Sequence, residues 1–381
     1  MTDLAGRRLV HVAATGPGLS DPSGPTLAAA VAEGMEVVVV SAPGPFVAGL
    51  REQGIGHVPL RRVDPPGSAT RRLLAGRGLV RLLAGLGPDI VHTHGPVPAP
   101  LGPVAARAAT VPEVVHSVHG PLVDPHGPPG HRVLGYGIER LAAACSRFVL
   151  VEHPDDVALL RRLRVPADRI VLVGAGVDLE RYRPRRSGAD VARARAALGI
   201  GPSAPAVGVV GCPPDGEGPR ALAAVATRLY DVRPEIVLVV LDAGAAGPWT
   251  AVAADCGNVV LAEGRVAEDG LHAGLDMVVA ADRDRPSPST LRALAGGLPA
   301  VATATPGGRQ AVDDGVNGRV VPVGAVGALV DAVVELAGDP ALRGTMGVRS
   351  RIRAEALWDG REVARSTLDV YRRLAVEPST V

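Results

Sequence analysis

Four histidines stand at the ends of two short apolar runs: His92 and His94 in DIVHTH (89–94), and His116 and His119 in VVHSVH (114–119), with Gly120 directly after. Imidazoles so placed can orient hydroxyls or phosphates, or exchange protons near neutral pH. Side chains alternate along a strand, so His92 and His94 share one face, as a metal pair would. No acidic residue is spaced to complete a recognisable zinc motif, so no metal is expected. His92 and His116, deeper in their runs, read as buried, hydrogen-bonded residues.

A second polar concentration is ADRDRPSPSTLRALAGGLPAVATATPGG (281–308), which leads from one apolar run through a loop and a helix to the next. Ser287, Ser289 and Thr290 stand where that helix needs an N-cap. Asp284 and Arg292 flank the turn and suit a sugar or a phosphate, an exposed ion pair being the plainer alternative. Gly307 and Gly308 open the following helix, where backbone N–H groups favour an anion. Near the N-terminus, TGPGLSDPSGPT (15–26) puts Gly16 and Gly18 in a strand-to-helix turn. It lacks G-x-G-x-x-G spacing, which argues against a dinucleotide site.

Elements that could position these groups are legible as β-branched runs alternating with Ala/Leu/Arg-rich stretches. The runs are 8–14, 36–42, 89–94, 114–119, 147–153 and 169–178, then 205–211, 235–244, 258–264, 276–282, 299–305 and 318–324. Continuous apolar strands between helices indicate parallel strands buried on both faces. The predicted fold is α/β: two facing Rossmann-like, doubly wound parallel-sheet domains with a cleft between them, at 1–184 and 205–359. The Arg-rich stretch 185–204 reads as a linker. The helical ending at about 360–376 is expected to pack back on the first domain, with Trp358 and Tyr371 as rare large anchors.

Composition narrows the function. All 40 basic residues are arginine, against 39 acidic ones, and aromatics are 2% of 381 residues. A formal charge of +1 gives no broad positive field, and few rings are available for stacking, so no nucleic-acid partner is expected. Cys145, Cys212 and Cys256 form neither a pair nor a zinc spacing, which suits a reducing, cytoplasmic setting. No window approaches the roughly 18 apolar residues of a membrane span. The Leu/Arg-rich stretch 69–87 reads as a packing helix, with peripheral contact at the inner membrane face as the alternative.

With two such halves, the sequence resembles the retaining, nucleotide-sugar-dependent glycosyltransferases of the GT-B fold, family-4 type. The residues that carry the resemblance are VHTHGP (91–96), VVHSVHGP (114–121), VGAGVDLERYRP (173–184), LRALAGGLPAVATATPGGRQAVDDGVNGRVVPVG (291–324) and the helical ending 339–374. The resemblance implies a nucleotide-diphosphate sugar, a UDP-sugar foremost, bound mostly by the C-terminal domain through Arg265, Arg285, Ser287, Ser289, Thr290, Arg292, Gly307 and Gly308. His119 and Asp284 are the implied catalytic pair, and Gly16, Gly18 and His94 the implied acceptor site. No cofactor and no metal are implied, because cationic side chains and a helix N-terminus neutralise the leaving diphosphate.

The chain departs from the family pattern at the charged positions. Val209 falls where an arginine is usual, and Pro or acidic residues fall where a lysine follows; of two usual glutamates, the first becomes Asp284 and the second Arg292. Arg220, Arg283, Arg285 and Arg292 are the candidates to replace the missing charges. The expected activity is transfer of a sugar, with retention, to a hydroxyl of a lipid-linked sugar, polysaccharide or natural product. The alternatives are an impaired GT-B protein partnering another glycosyltransferase, or a GT-B enzyme turned to a different ligand.

Overall fold

The computed structural model describes residues 4–13, 24–44, 46–60, 69–95, 101–119, 129–184, 187–211, 217–241, 248–262 and 268–376. The chain divides into two compact units, Met1–Asp178 with Gly360–Val381, and Leu179–Asp359.

The first unit is built from β1 (Arg8–Val12), α1 (Gly24–Ala32), β2 (Glu36–Ser41), α2 (Phe46–Glu52), β3 (Gly56–Pro59), α3 (Ala69–Leu86), β4 (Ile90–His94), α4 (Leu101–Ala108), β5 (Glu113–Val118), α5 (Pro129–Ala144), β6 (Phe148–Val151), α6 (Pro154–Arg162) and β7 (Ile170–Leu172). Its seven parallel strands are ordered β3-β2-β1-β4-β5-β6-β7. Order therefore reverses between β1 and β4, the place where open α/β sheets bind ligands beyond the carboxyl ends of their strands.

The second unit runs α7 (Gly188–Leu198), β8 (Ala206–Val210), α8 (Glu217–Val232), β9 (Val237–Val240), α9 (Pro248–Asp255), β10 (Val259–Leu261), α10 (Glu268–Gly274), β11 (Met277–Ala280), α11 (Pro288–Ala295), β12 (Ala300–Thr303), α12 (Pro306–Ala311), β13 (Gly318–Val321), α13 (Val326–Gly338) and α14 (Pro340–Leu357). Its six-stranded parallel sheet, β10-β9-β8-β11-β12-β13, repeats the same reversal between β8 and β11. The last helix, α15 (Gly360–Val376), belongs to the first unit.

Every apolar run read as a strand forms one. The strand that was not read, β3, is a four-residue edge strand, GHVP, with no fully buried side chain, so it has no hydrophobic run to betray it. The stretch 185–204, expected as a linker, carries α7, capped by Ser187 and ended by Gly199 in the left-handed region (φ 71°). Ala194, Arg195 and Leu198 are buried there, and Arg195 meets Asp276 at 2.7 Å. Arg-rich composition concealed this, because a buried arginine paired to a carboxylate is indistinguishable in sequence from a solvated one.

Alternation on the strands divides the first unit's core into two layers. Leu9 and Ile90 face Leu27 of α1 and Leu368, Tyr371 and Leu374 of α15. Val10 and Val91 face Leu79 and Leu83 of α3, which makes α3 a packing helix. Among the described residues no helix is long and apolar enough to cross a membrane. α15 reaches its place through a glycine crossing. The Gly360 N–H donates to the Val177 carbonyl at 2.9 Å, and a Cβ on Gly360 would lie 2.8 Å from that oxygen.

Candidate functional site

Strand register gathers the histidines. His11 is aligned with His92, and His94 with Ser117, so the two-residue period puts His11, His92, His94 and Ser117 on the sheet face covered by α15. His116 and Thr93 point to the opposite face, where Thr93 Oγ1 lies 2.8 Å from His116 Nδ1.

On the α15 face the side chains join end to end. Ser117 Oγ lies 2.7 Å from His92 Nε2, and His92 Nδ1 lies 2.6 Å from the Tyr371 hydroxyl. That hydroxyl lies 3.2 Å from His11 Nε2, and His11 Nδ1 lies 2.9 Å from His94 Nε2. His94 Nδ1 lies 2.8 Å from His119 Nε2, and His119 Nδ1 lies 2.7 Å from Glu152 Oε1. His11 and His92 are buried, whereas the side chains of His119 and Glu152 are 23% and 25% exposed, so the chain opens to solvent at that end. His11, Thr26, His94, His119, Glu152 and Thr367 line a small pocket there, together with Ser117 and Leu150.

Burial makes the imidazoles of His11, His92 and His94 poor bases, since a charged ring loses its hydration. It holds the His11 pKa down at about 3, and burial together with the neighbouring imidazoles holds His92 and His94 well below the usual range. Burial conversely pushes the Tyr371 phenol well above its ordinary value. Nitrogens of His11, His92 and His94 lie within 4.8 Å of one another, a donor set that could converge on one ion. Each of those rings instead spends both nitrogens on hydrogen bonds.

In the second unit the loop after β11 is held by its own backbone and side chains. Asp282 Oδ1 accepts from the Ser287 N–H at 2.9 Å, and Ser287 Oγ caps α11 by accepting from the Thr290 N–H at 3.2 Å. Gly211, with φ +68°, leaves room for that carboxylate, which a Cβ would meet at 2.0 Å. Ser289 and Thr290 are buried, and Asp284 and Arg285 are half-buried on the loop. Arg292 is buried, its guanidinium 5.5 Å from the centre of the Tyr182 ring. The Gly307 N–H donates to the Arg283 carbonyl and the Gly308 N–H to Thr305 Oγ1, at 3.1 and 3.0 Å. Gly307 thus holds the short helix α12 against the loop, where a Cβ would overlap the Arg285 backbone, and the Gly308 N–H is spent on the cap of that helix.

The structure brings His94 and His119 together in the first unit; in the second, Asp284, Arg285 and Ser287 lie on one loop after β11. Gly16, Gly18 and Arg265 lie outside the described residues. Sequence reasoning passed over His11 and Glu152. Each stands at or just beyond the carboxyl end of a parallel strand, His11 near the end of β1 and Glu152 just after β6, and that shared position was the available signal.

The model of Glycosyltransferase Family 4 matches residues 26–181, and that of Glycosyl transferases group 1 matches 205–339. D-inositol 3-phosphate glycosyltransferase of Xylanimonas cellulosilytica is 30% identical over 310 residues, covering 74% of this chain and 71% of that one. The chain is a family 4 glycosyltransferase. The corresponding enzyme of Kribbella flavida is 28% identical over 316 residues, with 74% and 71% covered. The fold of this family 4 glycosyltransferase is GT-B. The crystal structure of Anabaena HepE in complex with UDP and glucose superposes with a TM-score of 0.76 at 17% identity, over 97% of this chain and all of that one.

Proposed function

We propose that the protein moves a hexosyl group from a UDP-sugar to a hydroxyl of a polyol or sugar acceptor, with retention at the anomeric carbon. The observation that carries this reading is the first-unit pocket, where His119 and Glu152 share a hydrogen bond at the mouth and Thr26 and Thr367 add hydroxyls. Such a lining of short donors and acceptors, without a cationic side chain among its residues, suits neutral hydroxyls better than an anion. The neighbour crystallised with UDP and glucose supports the donor class, and relatives named for D-inositol 3-phosphate support a polyol as acceptor, though not its phosphate, which this lining does not match.

In this reading the second unit holds the nucleotide diphosphate. The bond from the sugar C1 to the diphosphate oxygen breaks, a bond from C1 to the acceptor oxygen forms on the same face, and the acceptor proton leaves with the diphosphate. Charge develops on the leaving oxygen, so preorganised cations are the main requirement. Val209 stands where the family's arginine is usual, and Arg283 and Arg285, with Asp284 between them to receive sugar hydroxyls, take over that task.

Titration calorimetry with UDP, GDP, dTDP and ADP, followed by their sugar conjugates, tests this. Micromolar binding of UDP and of one UDP-sugar, with an α-configured product from an α-configured donor, is the expected result. Absence of binding across the panel would sink it and favour a protein that has kept the fold without the transfer.

A further inference from the structure

The six hydrogen bonds from Ser117 to Glu152 form an unbranched line of seven side chains among the described residues. Each neutral imidazole has one N–H and one lone pair, so each must accept on one side and donate on the other. A line of this kind has only two self-consistent arrangements, one the reverse of the other. A carboxylate can only accept, so an ionised Glu152 selects between them.

With Glu152 accepting, His119 carries its proton on Nδ1, and its Nε2 accepts from the Nδ1–H of His94. His94 Nε2 then accepts from His11 Nδ1–H, and His11 Nε2 accepts from the Tyr371 hydroxyl. The Tyr371 oxygen accepts from His92 Nδ1–H, and His92 Nε2 accepts from the Ser117 hydroxyl. No proton is left over and none is missing. The opposite arrangement requires one more proton, taken up at the His119–Glu152 end, and reversal of every donor as far as His92 Nε2–H on Ser117.

We infer that Glu152 is a positioning residue that sets the tautomers of His119, His94, His11 and His92 in concert, so that both nitrogens of His119 are committed within the line and the Glu152 carboxylate is the acceptor left at the mouth of the pocket. Resting on the reading that this pocket receives a sugar hydroxyl, the inference gives it a specificity: that hydroxyl can donate to the Glu152 carboxylate at once. A ligand that only accepts, such as a phosphate or carboxylate oxygen, finds no proton on His119 or Glu152, because the one N–H of His119 at that end is spent on Glu152. A carboxylate orienting an imidazole through the ring's far nitrogen is a general device of sites in which one tautomer is needed. Here its reach extends over four rings.

The test reads tautomers directly, by two-bond proton–nitrogen correlation spectra of the full-length protein labelled at histidine nitrogen, near neutral pH. His11, His92, His94 and His119 are expected as neutral Nδ1–H rings, assigned from the single variants H11Q, H92Q, H94Q and H119Q. Glu152→Gln keeps shape but can donate as well as accept, so Nε2–H signals are expected to appear for His119, His94, His11 and His92 together. Tyr371→Phe leaves the carboxylate in charge and should keep His119 and His94 as Nδ1–H. An Nε2–H form of His119 in the unaltered protein would overturn the inference, as would unchanged tautomers in Glu152→Gln. So would equimolar zinc that displaces the pattern, since the ion would then own the lone pairs. These readouts do not involve turnover. Correct tautomers with no UDP-sugar binding would defeat the proposed activity alone, and UDP-sugar turnover with Nε2–H at His119 would defeat only the present inference.

Discussion

The Tyr371 hydroxyl, on the last helix, lies 3.2 Å from His11 Nε2 on the first strand, joining residues 360 positions apart. The same oxygen lies 2.6 Å from His92 Nδ1, so one phenol, kept protonated by burial, serves two buried rings. α15 places it there because its buried residues Ala364, Thr367, Leu368, Tyr371 and Leu374 recur at helical spacing and lie against the sheet.

Tyr371→Phe keeps the ring and deletes that oxygen, leaving nitrogens of His11 and His92 buried without their partner. An unpaired buried polar group costs about 1–3 kcal/mol. Urea unfolding followed by circular dichroism should show a loss of that size with an unchanged slope. A loss below about 0.5 kcal/mol would mean that the hydroxyl contributes little in the folded state.

Acid sensitivity follows from the buried rings. Burial lowers His11 to about 3 and His116 to about 4, and lowers His92 and His94 as well, whereas the unfolded chain takes up these protons near 6.5. The stability tied to their neutral forms is therefore fully present above about pH 6.5 and is lost as pH falls toward about 4 and 3. Glu139 acts oppositely. Burial, and secondarily the charge of Asp156, raises it to about 7, so its contribution is present below about 4.5 and is lost as pH rises through about 7. His116 Nε2 and Glu139 Oε1 stand 3.9 Å apart, each nearly inaccessible. Four rings outweigh one carboxyl, so the urea midpoint should fall steeply from pH 6 to 4. Glu139→Gln should differ most from the unaltered protein near and above neutrality, where it no longer carries a carboxyl to ionise. An unchanged acid limb in the unaltered protein would contradict the burial of these rings.

Arg292 and Arg285 should separate cleanly. The Arg292 guanidinium lies over the Tyr182 ring in a buried setting, where such a contact is worth about 0.5–2 kcal/mol. Arg292→Met should lower stability by that order while leaving nucleotide affinity within about twofold. Arg285 is half-buried on the loop, and Arg285→Met should weaken UDP binding about tenfold or more, as loss of a charge-assisted hydrogen bond does. Calorimetry and thermal melts on both variants check this. The reverse ranking would return Arg292 to the ligand and Arg285 to structure.

By itself the sequence determined the two parallel sheets, because β-branched runs such as EVVVVS and AVGVV have no stable home except strands buried on both faces. It also determined that His92 and His94 share a face, since that depends only on the period of a strand. The edge strand β3 and the helix within 185–204 escaped, the one for lack of apolar side chains and the other because its buried arginine looks like a surface one. Only the tertiary structure decided that His11, Glu152 and Tyr371 join those histidines. Their alignment depends on strand order, register and the return of α15 through the Gly360 crossing, which are relations between distant segments that no local spacing encodes. The three-dimensional structure likewise turned Arg292 onto Tyr182 and spent the Gly307 and Gly308 N–H groups within the fold, because the same donors that could meet a ligand also satisfy buried neighbours.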